Sequence, residues 1–191
     1  TDATGLVVEN NLIENGSTPD TSGEETATGL QVLSQKADVT GMQVVGNLFR
    51  NISAEDEGRG VTVDNNDQAG SVDDLEIRGN TFESISGAGG LGTSAINLFE
   101  GGESPREGPR DFDIVENRID GTTFTATGQE PPLSLFVGGY QELGNGHVVN
   151  ANEFLGAGVV RYAGSQTGFD VANADILDVR NNYWGAGDGP S

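Results

Sequence analysis

Two acidic residues, Asp64 and Glu100, and one basic residue, Arg161, are candidates for a catalytic role. Asp64 ends the segment 60–64, and Glu100 directly follows the segment 94–99. On neighbouring strands, these carboxylates could cleave a glycosidic bond, with retention at a separation of about 5 Å or with inversion at about 6.5–9.5 Å. Arg161 could instead abstract a proton in a lyase whose carboxylates hold calcium. The chain has 30 acidic residues, so a solvated acidic surface is the competing interpretation of both acids.

A second group of polar and aromatic side chains is suited to contact carbohydrate. Rings arranged in file along a column of strands could stack on sugars, because the repeat of a polysaccharide, about 5 Å, is close to the spacing of neighbouring strands. The alternative is that the aromatic members pack under the loops that follow them, as a small apolar cluster. The carbohydrate-contact candidates are Asn97, Phe99, Ser134, Phe136 and Tyr162.

A phrase repeated six times defines the elements that must position these residues. In each copy an aliphatic residue is followed three positions later by asparagine and then by a large apolar residue, as in 44–49 and 77–82. The aligned asparagines are separated by 36, 33, 37, 35 and 30 residues. One residue type held at such a period is typical of a solenoid, in which each repeat stacks on the next. The six are Asn11, Asn47, Asn80, Asn117, Asn152 and Asn182.

The pattern around each asparagine predicts the shape of one turn. Alternating apolar and polar residues before it predict a short strand with one buried face. The asparagine itself is predicted at a corner, in the left-handed backbone region that this residue type tolerates. A second strand follows, and a third begins with glycine, as at 29–32 and 60–63. Stacked turns would align the asparagines into a ladder of side-chain hydrogen bonds. Because loops flank only the glycine-led strands, those strands become the floor of a groove.

These phrases, together with the closing sequence 180–190, resemble right-handed parallel β-helix proteins, a group that contains pectate lyases, polygalacturonases and NosD-like periplasmic and surface proteins. The resemblance covers residues 5 to 190, nearly the whole chain. The expected fold is therefore all-β, a right-handed parallel β-helix of about six turns with three strands per turn and an Asn ladder at one corner. The resemblance implies no single activity, since this fold carries lyases, hydrolases, binders and scaffolds.

Charge bounds the environment of the chain. Thirty acidic residues face nine basic ones, which gives a net charge of −21. Self-repulsion of that size destabilises a compact state, but molar salt shortens the screening length to about 3 Å. Evenly spread acids with almost no lysine resemble proteins of extreme halophiles, and we expect a haloarchaeal protein. The alternative is a calcium-loaded surface, so calcium or salt cations on acidic loops are the cofactors considered, and no dedicated metal site is predicted.

The remaining composition excludes several classes of partner. Nucleic acid is not expected, because phosphate binding needs clustered lysine and arginine. No apolar run approaches the roughly 20 residues of a membrane span. Residues 1–191 are expected to form a single domain that is a segment of a longer secreted or surface protein. His147, the one histidine, is expected at the surface or at a strand boundary, and Trp184 in the core.

The expected function is that of an extracellular or cell-surface module. It would act as a scaffold, an adhesion domain or a glycan contact without its own catalytic centre, with a polysaccharide or cell-surface glycan as partner. One alternative is a fragment of a polysaccharide lyase or glycoside hydrolase that acts on an acidic polysaccharide. Another is end-to-end self-association into a filament, because the open ends of a β-helix present unpaired strand edges.

Overall fold

The computed structural model of this chain describes residues 2–18, 26–34, 37–64, 70–87, 93–99, 111–126, 132–140, 147–155, 159–164 and 179–185. Within these ranges the chain forms short strands and one 3-10 turn, η1, at Gly121–Thr123. Strands β1 to β19 span Ala3–Thr4, Val7–Glu9, Leu12–Glu14, Thr26–Leu33, Val39–Thr40, Gln43–Val45, Leu48–Ser53, Glu57–Asp64, Val72–Asp73, Glu76–Arg78, Thr81–Gly87, Ser94–Phe99, Asp113–Val115, Arg118–Asp120, Thr125–Ala126, Leu133–Tyr140, Val148–Asn150, Glu153–Leu155 and Val159–Gly164.

The strands assemble into four parallel sheets. Sheet A contains β1, β5 and β9; sheet B contains β2, β6, β10, β13 and β17. Sheet C contains β3, β7, β11, β14 and β18, with β15 also paired to β11, and sheet D contains β4, β8, β12, β16 and β19. Each strand pairs in parallel with its counterpart on the next turn, so the chain coils through sheets A, B, C and D in order. The predicted all-β, parallel β-helical class of fold is confirmed.

The number of strands and complete turns differs from the prediction. Three turns carry all four strands within the described residues, so six turns of three strands each is wrong in both numbers. The missed strands are those of sheet A, which have only two residues each, too few for an alternating pattern to reveal. Sheets B, C and D continue beyond the complete turns to β17, β18 and β19.

Inward side chains from all four sheets fill the interior. In sheet C, Phe49 and Phe82 are fully buried and stack with ring centroids 4.9 Å apart and planes 5° from parallel. Phe154 and Trp184 extend the same column with centroids 4.7 Å apart, so Trp184 packs against the core. Identical positions on successive turns therefore place like side chains in contact, which is how a low aromatic content still fills the interior.

Two corners of each turn depend on a residue in the left-handed backbone region. The corner between sheets A and B uses Gly5, Gly41, Asp74 and Asp111. The corner between sheets B and C uses Asn10, Gly46, Gly79, Glu116, Ala151 and Asn181, the residues directly before the six aligned asparagines. The prediction that the aligned asparagines themselves are left-handed is therefore wrong. The preceding residue makes the corner, which leaves each asparagine to bond along the stack.

The six aligned asparagines lie one above another in what we call the asparagine column. The Oδ1 atoms of the second to the sixth accept two hydrogen bonds each, from the backbone amide and the side-chain amide of the asparagine one turn before, at 2.9–3.1 Å. The side-chain amides also donate to backbone carbonyls, for example from Asn80 to Val44 at 2.8 Å. Asn47, Asn80, Asn117 and Asn152 are buried, so these bonds satisfy polar groups that water cannot reach.

Candidate functional site

The outward face of sheet D carries the residues that the sequence places in a groove. The backbone register across the five strands aligns Gln31, Thr62, Asn97, Phe136 and Arg161. Two residues further along, the register aligns Leu33, Asp64, Phe99, Gly138 and Ala163. Phe136 therefore lies beside Asn97 and not beside Phe99, so the expected file of aromatic rings is not found in this register.

A local irregularity shifts β16 relative to β19 and determines where Tyr162 lies. The pairing of the two strands is interrupted between Leu133 and Leu135 and again between Gly138 and Tyr140. An extra residue in one strand of a pair displaces the side chains that follow it relative to the neighbouring strand. Tyr162 is thus in register with Val137, a core position, and not with the outward aromatics. Alternation in the sequence does not reveal such an insertion.

Burial of this face also differs from the open groove that was expected. Asn97, Ser134 and Phe136 are 2%, 0% and 2% exposed. A ring or an amide with so little accessible surface has none to offer a sugar. The alternative interpretation of Phe136, that it packs under cover, fits its burial. Among the described residues, three buried polar atoms of sheet D, Thr62 Oγ1, Asn97 Oδ1 and Ser134 Oγ, have no hydrogen-bond partner.

The catalytic candidates are placed only in part. Asp64 is the last residue of β8, is half-buried, and lies in register with Phe99. Arg161 lies in β19 in register with Phe136. Glu100, and the side chains of Phe99, Arg161 and Tyr162, lie outside the described residues. The structure therefore fixes the strand positions of Asp64 and Arg161 and gives no geometry for a carboxylate pair.

An acidic cavity that the sequence reasoning missed lies where sheet A meets sheet B. It has a volume of about 200 Å³. Its lining includes Asp74 and Asp111, which are left-handed corner residues, and Glu76 and Asp113, which are neighbours in register on β10 and β13. The signal available in the sequence was the spacing, because Asp74 and Asp111 each precede a column asparagine by six residues.

Electrostatics in this acidic cavity act against ionisation of one member. Partial burial raises the pKa of the Asp113 carboxyl, and repulsion by Glu76, Asp74 and Asp111 raises it further, against a smaller lowering by Arg78. Like charges directly opposite each other on neighbouring strands are unfavourable. Glu76 has other partners, since Gln43 Nε2 donates to it at 2.8 Å and Arg78 forms an ion pair with it. Ionisation of Asp113 is therefore disfavoured, first by burial and then by its acidic neighbours.

Other titratable groups have structural roles. His147 is only 6% exposed and stacks on Phe112 with centroids 4.3 Å apart, and its Nδ1 accepts a hydrogen bond from the backbone amide of Phe112 at 3.4 Å. His147 lies at a strand boundary, directly before β17, but a surface position is wrong, because the residue occupies the inward place that Leu75 and Phe112 hold on earlier turns. In the described ranges, no group of three or more histidine or acidic side chains is arranged to hold a metal ion.

Comparison with protein families, with characterised proteins and with solved structures finds no match to this chain. Nor does the described part of the chain contain a helix with the length and hydropathy that crossing a membrane requires. Inference about function therefore rests on the geometry and charge of the solenoid itself.

Proposed function

We propose that this chain is a non-catalytic β-solenoid module of an extracellular or cell-surface protein, acting as a scaffold or adhesion domain in a salt-rich environment. The observation that carries the proposal is the direct pairing of Glu76 with Asp113 in sheet B, beside Asp74 and Asp111. Four carboxylates around one cavity are costly in dilute solution and cost little when salt screens them. The whole chain has a net charge of −21, so salt should also screen the repulsion among its other acidic residues, as it does in haloarchaeal proteins.

The scaffold role follows from how the turns are joined. In the asparagine column, the backbone amide of one turn donates a hydrogen bond to the asparagine Oδ1 of the next turn. The turns are therefore joined by hydrogen bonds between residues that are far apart in sequence. The stacked rings of Phe49 and Phe82 also connect two successive turns in the interior of the solenoid. A rod built in this way presents a regular acidic side surface, which suits spacing, display or attachment.

Glycan contact is the weaker form of the proposal. The side chains of Asn97, Ser134 and Phe136 are buried, so contact with a sugar would require sheet D to be uncovered. Retention on immobilised uronate polymers in molar salt tests this role, and Phe136→Ala is the informative variant. If that variant is retained as well as the wild type, any glycan contact does not depend on this face of sheet D.

Salt-dependent unfolding tests the proposal directly. Chemical unfolding would be followed in about 0.1 M and in molar KCl by far-ultraviolet circular dichroism and by fluorescence of Trp184, the single tryptophan, which stacks on Phe154. We expect the midpoint to rise strongly with KCl and equally with NaCl, because screening does not depend on the identity of the cation. A midpoint that does not change with salt contradicts the proposal. A rise produced by millimolar CaCl₂ alone would favour the calcium-loaded surface instead.

Self-stacking is a second candidate, favoured by the first turn. Leu6 occupies the inward place held by Met42 and Leu75 on the following turns, yet it is 44% exposed, while Met42 is 3% exposed. A further turn, supplied by a second copy docked end to end or by a longer chain, would cover it and pair the outer edge of β2. Light scattering at several protein concentrations tests this, with Leu6→Glu expected to abolish association. Leu12→Glu is the matched control, because Leu12 is exposed on the side of sheet C, where β3 pairs with β7.

A further inference from the structure

Two copies of a modification triplet lie side by side on the first two turns. Asn15-Gly16-Ser17 and Asn51-Ile52-Ser53 both match Asn-x-Ser, the acceptor pattern for N-linked glycosylation. A single three-residue match is a weak signal. Here, however, the two triplets are 36 residues apart and occupy equivalent positions, since Ser17 and Ser53 form a parallel bridge.

The structure presents both triplets in the form that glycosylation requires. Asn51 and Ser53 are exposed on the outer side of sheet C, while Ile52 between them is fully buried. The left-handed Asn51 interrupts the regular alternation of β7, and the acceptor amide and the hydroxyl two residues later are both accessible beside the buried Ile52. Asn15 and Ser17 are exposed as well. The two asparagines are left-handed, with φ of 61° and 54°.

The next turn shows that the pair is confined to the first two turns. Ile85 and Ser86 of β11 are in register with Ile52 and Ser53 of β7. The residue equivalent to Asn51 is Ser84, which has no amide to modify. The side surface of sheet C therefore carries one pair of acceptors.

We propose that Asn15 and Asn51 are alternative acceptors for a single N-linked glycan. In the reaction, Nδ2 of one asparagine attacks C1 of a sugar carried on a lipid phosphate. The N–C bond forms as the C–O bond to the phosphate breaks, the lipid phosphate leaves with the electron pair, and one amide proton passes to a base of the transferase. This inference rests on the extracellular or cell-surface placement proposed above.

Occupancy of one site excludes the other because of their distance. Asn51 Nδ2 donates a hydrogen bond to Asn15 Oδ1 at 3.4 Å, and neighbouring strands are about 4.8 Å apart. A sugar ring attached to either amide fills the space above its neighbour. The folded protein consequently carries one glycan on this pair and not two.

The test uses the full chain, secreted from a host with an N-glycosylation pathway together with a reporter glycoprotein of known occupancy. Intact mass spectrometry is expected to show one glycan on the wild type, on Asn15→Gln and on Asn51→Gln, and none on the double variant. Ser17→Ala with Ser53→Ala keeps both amides and is also expected to abolish the modification. Circular dichroism in molar salt confirms that each variant is folded.

Two results would overturn the proposal. If the chain is unmodified while the reporter is modified, neither asparagine is an acceptor. If folded molecules carry two glycans, occupancy of one site does not exclude the other. Neither result depends on the response to salt, because the host supplies secretion. A chain that is modified but whose stability does not change with salt therefore contradicts the proposed halophilic scaffold and leaves the acceptor sites in place.

Discussion

Asn117 Oδ1 accepts two hydrogen bonds from Asn80, one from its backbone amide and one from its side-chain amide, each at 3.0 Å. Both residues are buried. One oxygen of Asn117 thus accepts hydrogen bonds from two N–H groups of Asn80 on the preceding turn. The same arrangement recurs at every step of the asparagine column, so loss of one member leaves a gap between two turns.

Truncation of a central column asparagine should be severe. Asn117 also donates to the carbonyl of Ile77 at 2.8 Å and to Asn152 Oδ1 at 3.0 Å. Asn117→Ala removes all of these bonds and leaves buried groups without partners, so we expect a loss of roughly 3–5 kcal/mol in the free energy of unfolding. Chemical unfolding in molar salt measures this loss.

The end of the column supplies the control for that variant. Asn11 is exposed, and within the described ranges its side chain donates to the carbonyl of Glu9 and to Asn47 Oδ1. Asn11→Ala should cost less than about 1 kcal/mol, since water can replace these bonds. Equal losses at Asn11 and Asn117 would show that the column does not act through its buried hydrogen bonds.

The corner before the column offers a paired test of backbone strain. Ala151 and Gly79 occupy equivalent corners with φ of 54° and 63°, and a Cβ at Gly79 would meet nothing within 4 Å. Ala151→Gly should therefore raise the free energy of unfolding by about 1 kcal/mol, and Gly79→Ala should lower it by about the same amount. Thermal unfolding of the two variants measures both changes, and shifts of the same sign would contradict this account.

The asparagine column and the stacked phenylalanines are the parts of the fold that the sequence predicts best. Asn80 and Phe82 were assigned correct neighbours, because their types recur at a fixed period and each recurrence places like side chains in contact. The position of Tyr162 beside Val137 could not be predicted, because the irregularity near Ser134 adds a residue to β16 relative to β19 without changing the alternation of apolar and polar types. Periodicity predicts which residues stack, and a register shift is decided by packing that no local pattern records.

The candidate site shows the same limit more strongly. Asp74 and Asp111 look like ordinary surface acids in a chain with 30 of them. Only the coil brings them beside Glu76 and Asp113 around one cavity. Conversely, Phe136 looks outward from its alternation and is nevertheless 2% exposed. Alternation reports which face of a strand a side chain occupies and carries no information about what covers that face.

Gly60 should be intolerant of a side chain for a reason that differs from Gly79. It lies between two turns of sheet D, where a Cβ would approach Phe82 Cδ1 to 2.6 Å and the carbonyl oxygen of Ala95 to 2.5 Å. Gly60→Ala should cost roughly 2–3 kcal/mol from overpacking. Adding Phe82→Leu should recover part of the loss attributable to Gly60→Ala and not all of it, because the carbonyl contact remains. A double-mutant cycle in unfolding free energy measures the recovery, and a neutral Gly60→Ala would contradict the close approach.

Asp113→Asn should stabilise the folded protein in dilute buffer. Because the pKa of Asp113 is raised above its ordinary value of 3.8, the folded chain holds this proton more tightly than the unfolded chain. The contribution of Asp113 to stability is therefore full below pH 3.8 and is lost as the pH rises through the raised pKa. At neutral pH and low salt, Asp113→Asn should gain about 0.5 kcal/mol.

Acid should remove that gain whatever its cause, and molar salt should remove the part that arises from repulsion within the acidic cavity. Molar KCl screens Glu76, Asp74 and Asp111, and a pH below 3.8 protonates Asp113 in both states. Glu9→Gln is the matched control, since Glu9 lies on β2, two turns away along sheet B from β10, and does not line the cavity. Unfolding midpoints for both variants at low and high salt, and at two pH values, decide the matter. A gain for Asp113→Asn that persists in molar salt would trace it to burial of the carboxylate and not to its acidic neighbours.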